Sequence, residues 1–242
     1  PGGLAAWLAR KPLLIHEQNS VAGTTNRWLA PLAARVFEAF PGSFSSRVQA
    51  ELVGNPVRAS LLSVGPPRQR LEARRDTRRR VFVIGGSQGA RVLNEVLPQA
   101  LALLPHDVRP EVWHQAGNNG VDAARAAYAA AGVEARVEAF VDDVASAYCW
   151  ADLVVARAGA LTVTELTMVG VGAILVPLPT AIDDHQTHNA GHFVSRGGGV
   201  LLPQREFTPA TLAAELTRCL GDFAGLVAMA EAARAQALRA AA

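Results

Sequence analysis

Short apolar runs of four or five residues alternate with longer stretches in which apolar side chains recur every three or four positions. From Val81 onward this rhythm predicts strands at 81–84, 110–114, 136–140, 152–156, 172–176 and 199–202. Helices are predicted near 89–104, 120–131, 143–149, 162–170, 186–196 and 209–220. Continuous apolar strands separated by helices read as a parallel sheet covered on both faces. Leu93, Leu97, Leu101 and Leu104 mark the buried face of the first helix, and Pro98 within it should kink or divide it. Before residue 58 the pattern is shorter. Leu13-Leu14-Ile15 is a strand that ends in the polar loop His16-Glu17-Gln18-Asn19. Asn26 to Ala34 is a helix, Val36 to Phe40 another strand, and Asn55-Pro56 a break.

The expected organisation is an α/β chain in four parts. Residues 1–57 are the tail of an incomplete α/β domain, 58–80 a linker, 81–220 a complete parallel domain and 221–242 an alanine-rich helix. Pro1 in place of methionine suggests that a segment upstream is missing.

Composition narrows the function classes. Half of the 242 residues are hydrophobic, enough for one full core. The net charge of +2 is too balanced for a dedicated nucleic-acid binder. The basic side chains are arginines apart from Lys11, and Arg68, Arg70, Arg74, Arg75, Arg78, Arg79 and Arg80 crowd together, read as a solvated linker in preference to an anion-binding arm. Cys149 and Cys219 have neither metal nor redox spacing and fit a reducing compartment. Val169 to Pro179 is too short and too broken to span a bilayer, and no signal peptide is present. Leu4, Trp7 and Leu8 beside Arg10 and Lys11 read as ordinary core with solvated charge, the alternative being a patch on a membrane surface.

Gly85-Gly86-Ser87-Gln88-Gly89-Ala90 joins a strand to a helix, an arrangement suited to a phosphate. Glycine lets the backbone approach closely, and the unpaired N–H groups of the first helical turn point at the guest. No Gly-Lys-Ser/Thr ending makes it a P-loop. The next strand leaves through Trp113-His114-Gln115-Ala116-Gly117 without the acidic residue that would hold an adenosine ribose, which argues against NAD. A second strand-to-helix turn is Arg157 to Glu165. Thr162 and Glu165 have capping-box spacing, the reading favoured here; the alternative places Glu165 on the cis-diol of a ribose. In Asp183 to Asn189, His185 and His188, with His192 beyond, invite a metal reading, but three ligands from one straight helix seldom converge. Gln186 and Asn189 offer neutral donors and acceptors for sugar hydroxyls. Asp142-Asp143 is a helix start, and no Asp-x-Asp metal clamp is present.

PGGLAAW, HEQNSVAGTTNRWLA, VGNPVR, GGSQGARVLN, FVDDVASAY, ADLVVARAGALTVTEL and DDHQTHNA follow one another over residues 1 to about 190. In that order these segments resemble the MurG family of peptidoglycan N-acetylglucosaminyltransferases. The resemblance implies a GT-B fold of two Rossmann-like domains, the N-terminal one incomplete. It implies inverting transfer of N-acetylglucosamine from UDP-N-acetylglucosamine to lipid I, giving lipid II at the cytoplasmic membrane face for cell-wall growth and division. By resemblance Asn19 and Arg58 make donor contacts at the cleft and hinge, and Ser87 meets the diphosphate. Val141 borders the uracil through its backbone. Ala160, Leu161, Thr162, Val163 and Thr164 wrap the nucleotide sugar, Glu165 holds the ribose and Gln186 reads the sugar. No metal or other cofactor is implied, since helix ends can take the charge of the leaving diphosphate. Trp7, Arg10 and Lys11 become part of a membrane-facing patch.

Family members also carry a GGTGGH-like loop whose histidine is a candidate base. This chain lacks that region, so the catalytic base is unassigned, and His16 is a poor substitute. As given, the chain is expected to bind the donor weakly and to transfer nothing. The rival readings are a UDP-N-acetylglucosamine 2-epimerase-like isomerase and a nucleotide-binding fragment without turnover.

Overall fold

The computed structural model describes residues 2–86, 90–179 and 184–237. The chain opens with α1 (Gly2–Leu8), β1 (Leu14–Glu17), α2 (Thr24–Leu29), β2 (Arg35–Glu38) and β3 (Ala50–Leu52). The strands pair in parallel in the order β1-β2-β3, around a small core of Ile15, Ala22, Ala30, Val36 and Phe44. β1 runs two residues beyond the expected strand, so His16 and Glu17 belong to the sheet rather than to the loop. The helix expected over 26–34 starts at Thr24 and gives way at Ala30 to a single 3-10 turn containing Pro31. Proline lacks the N–H that would continue the α-helical ladder. β3, three largely exposed residues, was not anticipated.

The second part runs α3 (Ala59–Leu62), α4 (Pro67–Glu72), β4 (Arg80–Ile84), α5 (Arg91–Ala102), β5 (Glu111–Gln115), α6 (Val121–Ala130) and β6 (Arg136–Glu138). It continues with α7 (Val144–Trp150), β7 (Leu153–Ala156), α8 (Ala160–Val169), β8 (Gly172–Leu175), α9 (His185–Val194), β9 (Gly199–Leu201), α10 (Pro209–Gly221) and α11 (Phe223–Ala235). Among the described residues its six strands, all parallel, are ordered β6-β5-β4-β7-β8-β9. The chain begins at the centre, builds outward to β6, returns to β7 and builds out the other way. The loops after β4 and β7 therefore diverge, and a crevice opens between them at the carboxyl ends of the strands.

Strand alternation explains the two cores. Val81 and Val83 face Leu93, Leu97 and Leu101 of α5, whereas Phe82 and Ile84 face Tyr148 and Leu166 on the other side. α5 is not divided at Pro98; it runs unbroken from Arg91 to Ala102 with Pro98 buried among its core residues. The expected C-terminal helix is α11, started by the Asp222 carboxylate accepting the Gly225 N–H, and residues 238–242 lie outside the described part.

Two expectations are corrected here. Residues 58–80 are not solvated throughout, because Leu61 and Leu71 are buried and several arginines are tied down. Arg70 donates to the Val169 and Gly170 carbonyls at the end of α8, at 3.2 and 2.7 Å. Arg74 donates to the Asp152 carboxylate at 2.8 Å and to the Trp150 carbonyl, and Arg68 grips Glu231 of α11. A guanidinium carries five donors in a fixed fork, and helix carbonyl ends are acceptors that would otherwise face water. The other correction concerns α1, which is not core: Leu4, Trp7 and Leu8 are exposed, as is Trp28 of α2.

Candidate functional site

The crevice beside β4 and β7 has a volume of about 630 Å³ and is walled by Gly86, Arg91, Arg157, Gly159, Thr162 and Gln186, among others. Gly86 has φ +86°, a backbone state that L side chains rarely adopt, so glycine is needed at this turn. Beyond it the N–H groups of Leu93 and Asn94 both return to the Ala90 carbonyl, and those of Arg91 and Val92 have no acceptor among the described residues. Ser87, the residue expected at a diphosphate, lies outside the described residues.

The second wall is the start of α8. Gly159 is its N-cap and Val163 N–H already bonds the Gly159 carbonyl, so the open donors are those of Ala160, Leu161 and Thr162. Of the five residues expected to wrap a ligand, the first three carry these open donors. Val163 is fully buried in the core, and the Thr164 hydroxyl donates to the Ala160 carbonyl at 2.9 Å and accepts from Asn55 at 3.1 Å. Both turn away from the crevice. The capping box is overturned too. With Gly159 as cap, Thr162 and Glu165 are interior positions, and no side chain caps this helix.

Glu165 has another partner. Its Oε2 accepts the Tyr148 hydroxyl at 3.0 Å. Burial pushes the Glu165 carboxyl above its usual range, with the Tyr148 hydrogen bond and the Arg58 charge opposing that rise. Arg58 itself reaches the Asp142 carbonyl at 3.4 Å, so Arg58, Tyr148 and Glu165 gather beside Val141. As expected, Asp143 starts α7, its carboxylate accepting the Ser146 N–H at 3.0 Å.

Two crevice side chains are held by backbone. Arg157, at the end of β7, donates to the Val176 and Pro177 carbonyls at 3.0 and 3.1 Å and to Gln204 at 2.7 Å. Among the described residues no carboxylate pairs with it, so a half-buried positive charge stands at the crevice wall. The Gln186 side-chain oxygen accepts the N–H groups of Ala158 and Leu178 at 3.2 and 3.0 Å, and its amide donors have no partner among the described residues.

Gln115 was missed as a site residue. It is buried at the end of β5, donates to the Gly86 carbonyl at 3.2 Å and accepts the Val141 N–H at 3.0 Å. One amide thus sets the spacing between the glycine turn and the loop at Val141, and the Val141 N–H is unavailable to a base. Its signal was a polar residue at the carboxyl end of a largely buried strand. Gln115→Leu is expected to cost roughly 1–3 kcal/mol of stability through the orphaned Val141 N–H. Urea unfolding checks this; unchanged stability would sever the link between the loops.

Asn19 and Asn189 do not face the crevice as free hydrogen-bonding groups. Asn189 is fully buried, against the expectation that it serves sugar hydroxyls. Its oxygen accepts the Ser20 N–H and hydroxyl, both at 2.9 Å. Its nitrogen donates to the Ala158 carbonyl and to Asn19, both at 3.2 Å. With Asn55, which also donates to the Gln18 carbonyl at 2.9 Å, this network ties the small sheet to α8 and α9. Glu17 anchors the near side. Burial opposes its charge, but the Asn19 and Gly23 N–H groups and the Asn26 and Asn19 amides hold its carboxyl below the usual range. His16 Nε2 sits 2.9 Å from the Gly54 carbonyl.

The three histidines diverge. His185 lies beside Glu17 and Gly23, and His188 is exposed. His192 meets the Phe40 ring edge-on at 4.9 Å, and burial pulls its pKa down to about 4. Among the described residues no three His, Cys, Asp or Glu side chains form a metal-holding group.

This geometry agrees with comparison to known proteins. The profile of the glycosyltransferase family 28 C-terminal domain matches residues 80–242, and that of the N-terminal domain matches residues 1–38. The chain belongs to glycosyltransferase family 28. Within it the resemblance to MurG holds. The crystal structure of Acinetobacter baumannii MurG superposes with a TM-score of 0.86 at 42% identity, covering 98% of this chain and 66% of that one. The expected GT-B architecture is thereby shown. A relative from Nitrosococcus oceani is named UDP-N-acetylglucosamine--N-acetylmuramyl-(pentapeptide) pyrophosphoryl-undecaprenol N-acetylglucosamine transferase. It is 58% identical over 97% of this chain and 65% of its own length. The protein of the same name from Marinobacter nauticus is 55% identical over 98% of this chain, again 65% of its own length. The chain thus spans about 65% of the length of these relatives.

Proposed function

We propose that the crevice holds UDP-N-acetylglucosamine and that the chain serves the inverting transfer of N-acetylglucosamine to lipid I. The observation that carries this reading is the pairing, on adjacent strands, of two helix starts that open on one crevice with Arg157, to which no carboxylate pairs among the described residues. The diphosphate belongs between them, with Ser87 on the glycine turn. The ribose belongs at Glu165 with Arg58 near, the uracil at the loop of Val141, and the sugar under the Gln186 amide. Residues 81–220 would form the donor domain and residues 1–57 part of the acceptor-side domain, with Asn19 at the hinge between them.

In the reaction an acceptor hydroxyl oxygen bonds to the anomeric carbon from the face opposite the diphosphate. The anomeric carbon–oxygen bond breaks, the electron pair leaves with UDP, and the acceptor proton goes to a base that remains unassigned. Charge grows on the diphosphate as that bond breaks. Fixed N–H groups and Arg157 then stabilise the transition state more than the bound substrate.

The test is calorimetric titration with UDP-N-acetylglucosamine beside an ADP-linked sugar, followed by transfer of label to lipid I. Indifference to the base rejects the donor site. Donor converted to an epimer without acceptor favours the isomerase reading instead.

No helix among the described residues is long and apolar enough to cross a membrane. Exposed Leu4, Trp7 and Leu8 beside Arg10 and Lys11 support a peripheral seat on an anionic, cytoplasm-facing membrane. Failure to co-sediment with anionic vesicles would remove that part.

A further inference from the structure

We propose that Tyr148 sets the ribose specificity of the crevice, by holding Glu165 in the one orientation from which its second carboxylate oxygen can accept from a cis-diol. The inference rests on the ribose reading of Glu165. It goes beyond that reading by assigning the choice between ribonucleotide and deoxyribonucleotide to a positioning residue that is itself sealed from the ligand.

Three observations converge. Tyr148 is fully buried, and its ring stands edge-on to Phe82 at 5.5 Å and 90°, while Phe82 stands edge-on to Trp113 at 6.0 Å. The direction of the hydroxyl is thereby fixed by packing on β4 and β5. That hydroxyl donates to Glu165 Oε2 at 3.0 Å. Among the described residues Oε1 takes no hydrogen bond, and it is not one of the buried orphan atoms, so it is not sealed from solvent.

A glutamate side chain has three torsions, and ordering it at the moment of binding costs affinity. Here the order is imposed during folding. Oε2 is occupied, so the carboxylate offers one preset acceptor site at Oε1. A ribose fills it with donors, whereas a deoxyribose leaves a desolvated anion underused. Freed from Tyr148, the carboxylate can rotate toward solvent, and the penalty for the missing hydroxyl falls.

The experiment compares UDP with 2′-deoxy-UDP by calorimetry on the whole chain, as wild type, Tyr148→Phe and Glu165→Gln. Wild type should prefer UDP, and Tyr148→Phe should shrink that preference about tenfold by weakening UDP alone. A merely structural tyrosine would weaken both nucleotides equally and leave the ratio intact, which overturns the proposal. A preference lost in Glu165→Gln but kept in Tyr148→Phe overturns the role of Tyr148 while sparing that of Glu165; no preference in wild type removes both.

Should Tyr148→Phe fail to fold, 3-fluorotyrosine labelling of the unmutated chain decides. The chain has 2 tyrosines, and Tyr128, bonded to His114 across the sheet, is the internal control. UDP should move the Tyr148 fluorine resonance and not that of Tyr128, and 2′-deoxy-UDP should move it less. A Tyr148 resonance that UDP at saturation leaves unmoved sinks the proposal.

Discussion

Glu165→Gln should lower the affinity for UDP by about 10- to 100-fold, roughly 1.5–3 kcal/mol, while leaving the protein at least as stable at neutral pH. The opposed directions follow from one cause. Burial raises the Glu165 pKa in the fold, so the ionised form is held at a cost that a neutral amide does not incur. Glutamine can still accept the Tyr148 hydrogen bond but offers the ribose a weaker, uncharged acceptor. A carboxyl whose folded pKa lies above its unfolded one destabilises the fold above that folded pKa, and the cost is relieved as pH falls through it. The stability advantage of Glu165→Gln is therefore largest at neutral pH and fades on acidification toward the ordinary carboxylate range. Uridine, which has no titrating phosphate, should bind wild type less well over the same window and be indifferent to pH in the variant. A variant that binds UDP like wild type, or that unfolds far more easily, would return Glu165 to a structural role.

Arg74→Met should destabilise the fold by about 3–5 kcal/mol, the usual cost of stripping one partner from a buried ion pair. Asp152 is almost wholly buried. That burial raises its carboxyl pKa, while Arg74 and the Arg80 N–H at 2.9 Å pull it back. Without Arg74 the carboxylate must stay charged and alone or take up a proton. The Trp150 carbonyl also loses its donor. Urea unfolding measures the loss, and Arg74→Met combined with Asp152→Asn should recover part of it, because the orphaned charge is gone. A loss under about 1 kcal/mol is what an exposed pair would give, and it would restore the solvated-linker reading of residues 58–80.

The strands of the large sheet were legible within a residue or two. Val81 to Ile84 and Leu153 to Ala156 are continuous apolar runs, and a strand buried on both faces permits no other pattern. The glycine turn was legible for a similar reason, since Gly86 takes a backbone state that restricts residue choice. Spacing failed where two structures share one pattern. Thr162 and Glu165 fit a capping box, but the helix starts at Ala160, and the carboxylate is claimed by Tyr148, 17 positions earlier. The arginines of 58–80 failed likewise. A run of charge looks the same whether its forks face water or the ends of α8 and the Asp152 carboxylate.

Local order along the chain was enough to decide which segments are strands, which turns can receive an anion, and to which family the motifs belong. Hydrophobic period and backbone permissiveness are properties of neighbouring residues. Which polar side chains serve a ligand and which serve the fold was decided by packing. Asn189 and Asn19 bond each other 170 positions apart, and Gln115 joins turns that lie 26 and 29 positions from it. A hydrogen bond spans about 3 Å in space whatever the separation in sequence, so such partners exist only once the chain has folded.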